Sequence, residues 1–264
     1  MRRPLRLAGL AAGLAILAWL VAQTDIAALL GVFPRLGRGF VAIVAARGAT
    51  IVVDCAAWFV LLPRDGRPSF IALLPLRWIG ESINTTLPVA QVGGDVVRAR
   101  LLQQRTAVPA RGAASVAVDF CLSLFGQILF TLLGFVLLAQ LSATASWWPA
   151  ALSALLVPGF ALFSWELLVS RRLLAAAEGV AARLGLRRLA AALAALGAAL
   201  ALVAHSRTAL AVSLSLHVAS FLAHAAELWL TLYLMGAATG LAEATMLESL
   251  SLLARSAAFL IPSG

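Results

Sequence analysis

Five apolar runs, at roughly 7–22, 40–62, 112–139, 149–169 and 208–235, dominate the hydropathy pattern of this chain. Each approaches or exceeds the ~20 residues an α-helix needs to cross the hydrocarbon core of a bilayer. The runs at 112–139 and 208–235 are long enough to tilt or to extend past the interface. Arginines punctuate the links between runs. Arg2, Arg3 and Arg6 precede the first run, and Arg64 and Arg67 follow the second. Arg171, Arg172, Arg183, Arg187 and Arg188 follow the fourth, whereas links 140–148 and 236–242 carry no basic residue. The positive-inside rule then places the N-terminus and the arginine-bearing links in the cytoplasm and the uncharged links outside. The first run lacks a small-x-small cleavage site and is followed by further apolar runs, so it reads as a retained anchor rather than a signal peptide.

Segment 68–97 departs from this pattern. Its apolar run is broken by Asn84, Thr85, Thr86 and Pro88, followed by Gly93, Gly94 and Asp95. Backbone that leaves the helix at membrane depth survives only where it lines a protein cavity, and broken helices near the midplane build substrate sites in many transporters. Arg64 and Arg67 on one flank, and Arg98, Arg100, Arg105 and Arg111 on the other, both read as cytoplasmic. The segment is therefore expected to enter and leave on the same side as a re-entrant hairpin, a reading favoured over one full span. Segment 171–207 begins with arginines at helical spacing among alanines and leucines, which predicts an interfacial amphipathic helix. Its second half, 189–204, reads as a continuation of that helix or as a short span.

A short internal match accompanies the break. Glu81-Ser82, four residues, then Leu87-Pro88 parallels Arg255-Ser256, four residues, then Ile261-Pro262, and glycine follows each proline. The first copy would enter from inside and the second from outside, the arrangement of an inverted repeat with paired broken segments. The chain stops directly after the second break, so it reads as truncated at its C-terminus.

Composition agrees with a membrane class. Hydrophobic residues make up 62% and charged residues 12%, with mean hydropathy +1.00; a soluble domain carries about twice that charged share. The expected fold is all-α, a single polytopic membrane domain over 1–264 with about six to eight membrane segments, including the broken hairpins. The net charge of +9 resides at the ends of apolar runs, where it suits topology and anionic phospholipid headgroups rather than nucleic acid. Cys55 and Cys121 lie inside apolar runs without metal-type spacing and read as small buried hydrophobes.

Around the break, Asp95 is expected to cap a helix beginning at Val96. The free amides of that helix start, with Arg98 and Arg100 close enough to share a phosphate, make an anion site. The bland alternative is an interfacial loop whose arginines snorkel to headgroups. Asp54, Asp119, Glu166, His217, His224 and Glu227 are ionisable groups inside apolar runs. Such groups are costly at depth and face a pathway or the bundle interior, although for any one of them an interhelical hydrogen bond is the simpler reading. A metal site at His224 and Glu227 lacks a third ligand. No P-loop, HExxH, GxSxG or paired-cysteine motif is present, so neither a catalytic residue nor a cofactor is expected.

The run Asn84-Thr85-Thr86-Leu87-Pro88, with Gly93-Gly94-Asp95 and Arg98, resembles the signature of the lysylphosphatidylglycerol synthase transmembrane family, also called flippase-like. The ending from Arg255 to Gly264 resembles its second signature, and the string from Glu81 to Leu102 looks most like the family's hopanoid-associated branch. The resemblance implies a protein of the bacterial inner membrane that moves or presents a lipid, a hopanoid or related amphiphile, without the soluble aminoacyl-transferring domain. A scaffold for lipid-modifying enzymes and an intramembrane enzyme are the rival readings. The match implicates Asn84, Pro88, Gly93, Gly94, Asp95 and Arg98 around the first break and Arg255 and Pro262 around the second. With Glu81, Arg100, Asp119 and Glu227 they form the expected lipid pathway. Glu81 and Arg255, equivalent in the repeat and opposite in charge, are expected to meet near the midplane.

Overall fold

The computed structural model describes residues 31, 37, 39–64, 66–86, 93–106, 109–141, 172–204 and 206–259. Among these, eight α-helices and no strand form the fold: α1 (Gly39–Leu61), α2 (Phe70–Thr86), α3 (Gly93–Gln103), α4 (Pro109–Leu141), α5 (Arg172–Arg183), α6 (Arg187–Ala204), α7 (Arg207–Leu234) and α8 (Leu241–Phe259). The predicted runs 7–22 and 149–169, together with Pro88, Pro262 and Glu166, lie outside the described residues.

Among the described residues, three helical stretches are long and apolar enough to cross a membrane: Gly39–Leu61, Gly112–Leu141 and Arg207–Leu234. They coincide with the predicted runs because hydrocarbon offers no partner for a free amide, so each run must close its own hydrogen bonds as a helix. Val41, Val44, Ile71, Trp78 and Val136 all point outward, which suits a surface that meets lipid rather than water.

α1 and α7 run antiparallel along their whole length and form the largest helix contact. Gly39 abuts Leu234 at one end, and Phe59 to Pro63 face Ser206 to Val212 at the other. α4 packs against α7, and less extensively against α1, in the same direction as α7: Ala114, Val118 and Cys121 meet Leu210 and Leu214, and Phe130 stacks on Phe221 at 5.6 Å between centroids. α8 turns back from α7 and packs on α4 and α7, with Ser249 seated against Gly134.

α2 and α3 form a hairpin. Phe70 at the start of α2 meets Phe59 at the end of α1, edge to face at 5.5 Å. Arg105, just past α3, donates from Nη1 to the Ala72 carbonyl at 3.2 Å. Both ends of the hairpin therefore lie at the end of the bundle that holds Arg64, Arg67 and Arg207, as the arginine flanks imply. We call this the arginine end. α5 and α6 are separate helices. The chain turns between them at Gly185, whose φ of 72° favours glycine, with the Leu186 amide closing onto the Ala181 carbonyl at 2.9 Å. α6 then packs on α4, so it belongs to the bundle rather than extending α5.

Candidate functional site

Gly80 of α2 and Gly94 of α3 bring the two backbones of the hairpin close together. A methyl group on Gly94 would run into the Gly80 carbonyl oxygen and the Asn84 side chain. Only glycine lets the two helices meet here, and that contact fixes the height at which α3 starts. Asn84 bridges the junction: its Oδ1 accepts the Gly94 amide at 2.7 Å, and its Nδ2 donates to Asp95 Oδ2 at 3.4 Å. The orphan amide of a new helix is thus satisfied from a neighbouring helix. This corrects two expectations. Asp95 does not cap a helix starting at Val96, because α3 already begins at Gly93 and Asp95 sits in its first turn. One of the free amides of the expected anion site is already occupied by Asn84.

One turn further, Arg98 is 1% exposed. It lies 2.8 Å from Asp95 Oδ1 and 2.8 Å from Asp119 Oδ2 on α4, and its guanidinium sits 4.7 Å over the ring of Trp58. Arg100 is exposed and does not share a ligand position with Arg98. Two residues apart on a helix lie on nearly opposite faces, so the expected shared phosphate site is not formed.

Asp119 is the hub of the cluster. Arg77 of α2 donates from Nη1 to its Oδ2 at 3.0 Å, and His217 Nε2 meets its Oδ1 at 3.0 Å. Arg77 also pairs with Asp54 of α1 at 3.3 Å, and His217 Nδ1 lies 3.8 Å from Asp54 Oδ1. Three carboxylates, two guanidiniums and one imidazole from five helices thus occupy one buried knot. The His217 contact is possible because Gly126 of α4 leaves room for the His217 Cβ.

A second tier lies nearer the opposite end. Arg47 of α1 donates to Glu81 Oε1 at 2.9 Å and lies 3.8 Å from Glu227 Oε2 of α7. Arg47 precedes Asp54 by seven residues on α1, a rise of ~10 Å. The lower knot is closed, whereas the Arg47 side chain is 41% exposed.

The unsatisfied atoms fall on the same column. Among the described residues, the buried side-chain atoms without an aligned hydrogen-bond partner are Nε of Arg77, the three guanidinium nitrogens of Arg98, Oγ of Ser213 and Ser220, and Oε2 of Glu81 and Glu227. Arg98 is ion-paired at 2.8 Å but its N–H bonds point off the acceptors, so charge is compensated while donors stay free. Buried orphan groups are rare in folded proteins and mark a site for water, ion or ligand.

Of the predicted residues, the structure brings together Asn84, Gly94, Asp95, Arg98 and Asp119, with Glu81 and Glu227 one tier away; Gly93 opens α3 beside them. Glu81 and Arg255 do not meet. Glu81 takes Arg47, and Arg255, 57% exposed, pairs with Glu248 of its own helix at 3.0 Å, because α8 packs mainly on α4 and α7. Sequence reasoning missed Arg47, Arg77 and Trp58 as partners of the site. Arg47 and Arg77 were visible as arginines inside apolar stretches, where a charge is as informative as an aspartate.

Neither curated proteins nor solved structures give a match to this chain. The family model described as the lysylphosphatidylglycerol synthase TM region matches residues 6–264. That span covers nearly the whole sequence, and the chain belongs to the lysylphosphatidylglycerol synthase transmembrane-region family.

Proposed function

We propose that this protein transfers a lipid between the leaflets of the bacterial inner membrane, the headgroup following the polar column while the tails stay in the bilayer. The observation that carries this reading is the column itself. Two charged tiers ~10 Å apart along α1 hold the orphan atoms of Arg77, Arg98, Glu81 and Glu227, Ser213 and Ser220 add two more on α7, and apolar outer faces surround them. A polar seam walled by membrane helices lowers the cost of moving a headgroup past hydrocarbon, where an unpaired polar group costs several kcal/mol. The positive-inside rule puts the arginine end in the cytoplasm. The closed knot then lies nearer the cytoplasm, and the more open Arg47–Glu81–Glu227 tier is the headgroup entry from the outer half.

The protein acts by binding and release, without a covalent step. The cargo is a membrane amphiphile with a polar headgroup: the signature from Glu81 to Leu102 favours a hopanoid or related amphiphile, and the basic links favour an anionic phospholipid such as phosphatidylglycerol. Mass spectrometry of co-purifying lipids tests this reading, comparing the wild type with Arg47→Gln. Arg47 is the variant of choice because half-exposed pairs contribute only up to about 1 kcal/mol to stability. Enrichment of one lipid class that disappears in the variant is expected. Bulk membrane composition in both samples would overturn the reading and favour a scaffold that moves nothing.

A further inference from the structure

We propose that His217 is a proton-binding site that couples lipid transfer to the pH difference across the membrane, with the Arg47–Glu81–Glu227 tier as its route to the outer aqueous phase. The inference rests on the lipid-transfer reading and supplies its energy source.

Charge counting at the knot comes first. Asp54, Asp95 and Asp119 carry three negative charges against two positive charges on Arg77 and Arg98. A neutral imidazole leaves the buried knot at net −1, and a proton on His217 brings it to zero. An uncompensated charge in a low-dielectric interior is expensive, so the knot is built to accept one proton. Geometry says where. Nε2–H donates to Asp119 Oδ1 at 3.0 Å, which leaves the Nδ1 lone pair facing Asp54 Oδ1 at 3.8 Å. One proton from water adds to Nδ1 and later leaves from the same atom; no other bond forms or breaks.

The other charged groups near His217 do not neutralise the knot. Cys55 of α1 and Cys121 of α4 are free thiols. On α7 itself, Glu227 belongs to the upper tier and His224 lies against Phe221. On α8, Glu248 is taken by Arg255, and Glu243 caps its own helix through the Gly240 amide.

The orphan atoms supply the route. In the upper tier Glu81 Oε2 has no aligned donor and Glu227 Oε2 has only the Arg47 charge at 3.8 Å, and Ser220 and Ser213 present unaligned hydroxyls on α7, one turn to either side of His217. Buried polar atoms of this kind are normally satisfied by water, and a file of waters carries protons.

Coupling follows from what His217 competes with. Asp119 and Asp54 hold the α2–α3 hairpin through Arg77 and Arg98, and the same two carboxylates face His217 on α7. A proton on Nδ1 gives α7 a second charged donor and draws both carboxylates away from the hairpin arginines. The proton thus binds more tightly to the state with a loosened hairpin, the differential affinity any coupling ion needs.

The test has two arms on the full chain in lipid nanodiscs and vesicles. Nitrogen-15 imidazole spectra of the wild type, assigned against His217→Gln, read protonation without needing a cargo. The His217 signals are expected to change across a titration that spans the whole pH range in which the protein stays folded. In vesicles carrying a fluorescent phosphatidylglycerol, an imposed pH difference is expected to speed label transfer about tenfold in the wild type and to leave His217→Gln unaccelerated. His217 signals that stay fixed across that range overturn the proton site whatever the vesicles do. Signals that move while wild-type transfer ignores the gradient overturn the coupling. No wild-type transfer under any gradient overturns the lipid-transfer reading itself, and the coupling with it.

Discussion

Replacing Arg98 with alanine removes a cation that is 1% exposed and ion-paired to two carboxylates. Before the change the knot holds three aspartates against two arginines; afterwards Arg77 alone faces them, and the buried charge with a neutral His217 falls from −1 to −2. Breaking a buried pair from one side costs about 3–5 kcal/mol, because the abandoned charge stays in low dielectric. Loss of the Trp58 cation–π contact at 4.7 Å adds roughly 1–2 kcal/mol for a desolvated guanidinium. Against this, three guanidinium nitrogens without aligned acceptors no longer have to be buried, a relief of about 1 kcal/mol or more each. The net expectation is a loss of about 3 kcal/mol. Equilibrium unfolding in mixed micelles measures it, and a double-mutant cycle with Asp119→Asn separates the pair from its surroundings. Coupling of about 1.5–3 kcal/mol is expected for residues in direct contact. A single-mutant cost below about 1 kcal/mol with an additive cycle would mean that Arg98 is solvated by headgroups, and the buried knot would have to be abandoned.

The other predictions test neighbouring parts of the account. Gly94→Ala drives a methyl into the Gly80 carbonyl and Asn84, so it should splay the hairpin and destabilise the protein more than Asn84→Ala, whose lost cap costs about 1 kcal/mol; paired melting curves give the order. Ser115→Ala leaves the Trp58 indole N–H, which donates to Ser115 Oγ at 3.1 Å, buried without an acceptor, at a cost of about 1–3 kcal/mol in the same assay. Arg255→Ala should change stability by no more than about 1 kcal/mol, since its pair with Glu248 is exposed. Cysteines placed at the exposed positions Ser69 and Gln104 should both react with an impermeant thiol reagent from the same side of the membrane; labelling from opposite sides would rule out the hairpin.

Much of this architecture is legible in the chain because a bilayer imposes simple rules. The three long helices follow from apolar length alone. The hairpin follows from the break after Asn84 and from arginines on both flanks of 68–97. The gathering of Asn84, Gly94, Asp95 and Arg98 is local and follows from the break. Partners from elsewhere are a different matter. Asp119 is 42 residues from Arg77 and 98 from His217, and nothing in the sequence sets the helix rotations that bring them together. The pairing of Glu81 with Arg255 failed for that reason: a repeat suggests equivalence, but packing placed Arg47 beside Glu81 first. The Arg98–Arg100 error was avoidable, because helical periodicity already puts those side chains on opposing faces.

The central claim, that the two-tier column passes lipid headgroups, is met most directly in reconstituted vesicles of bacterial polar lipid with labelled phosphatidylglycerol confined to one leaflet. The account predicts first-order transfer of the label by the wild type and a loss of about tenfold or more in both Arg47→Gln and Glu81→Gln, each folded as judged by its melting curve. Transfer at the rate of protein-free vesicles, or equal rates in the wild type and both variants, would contradict it.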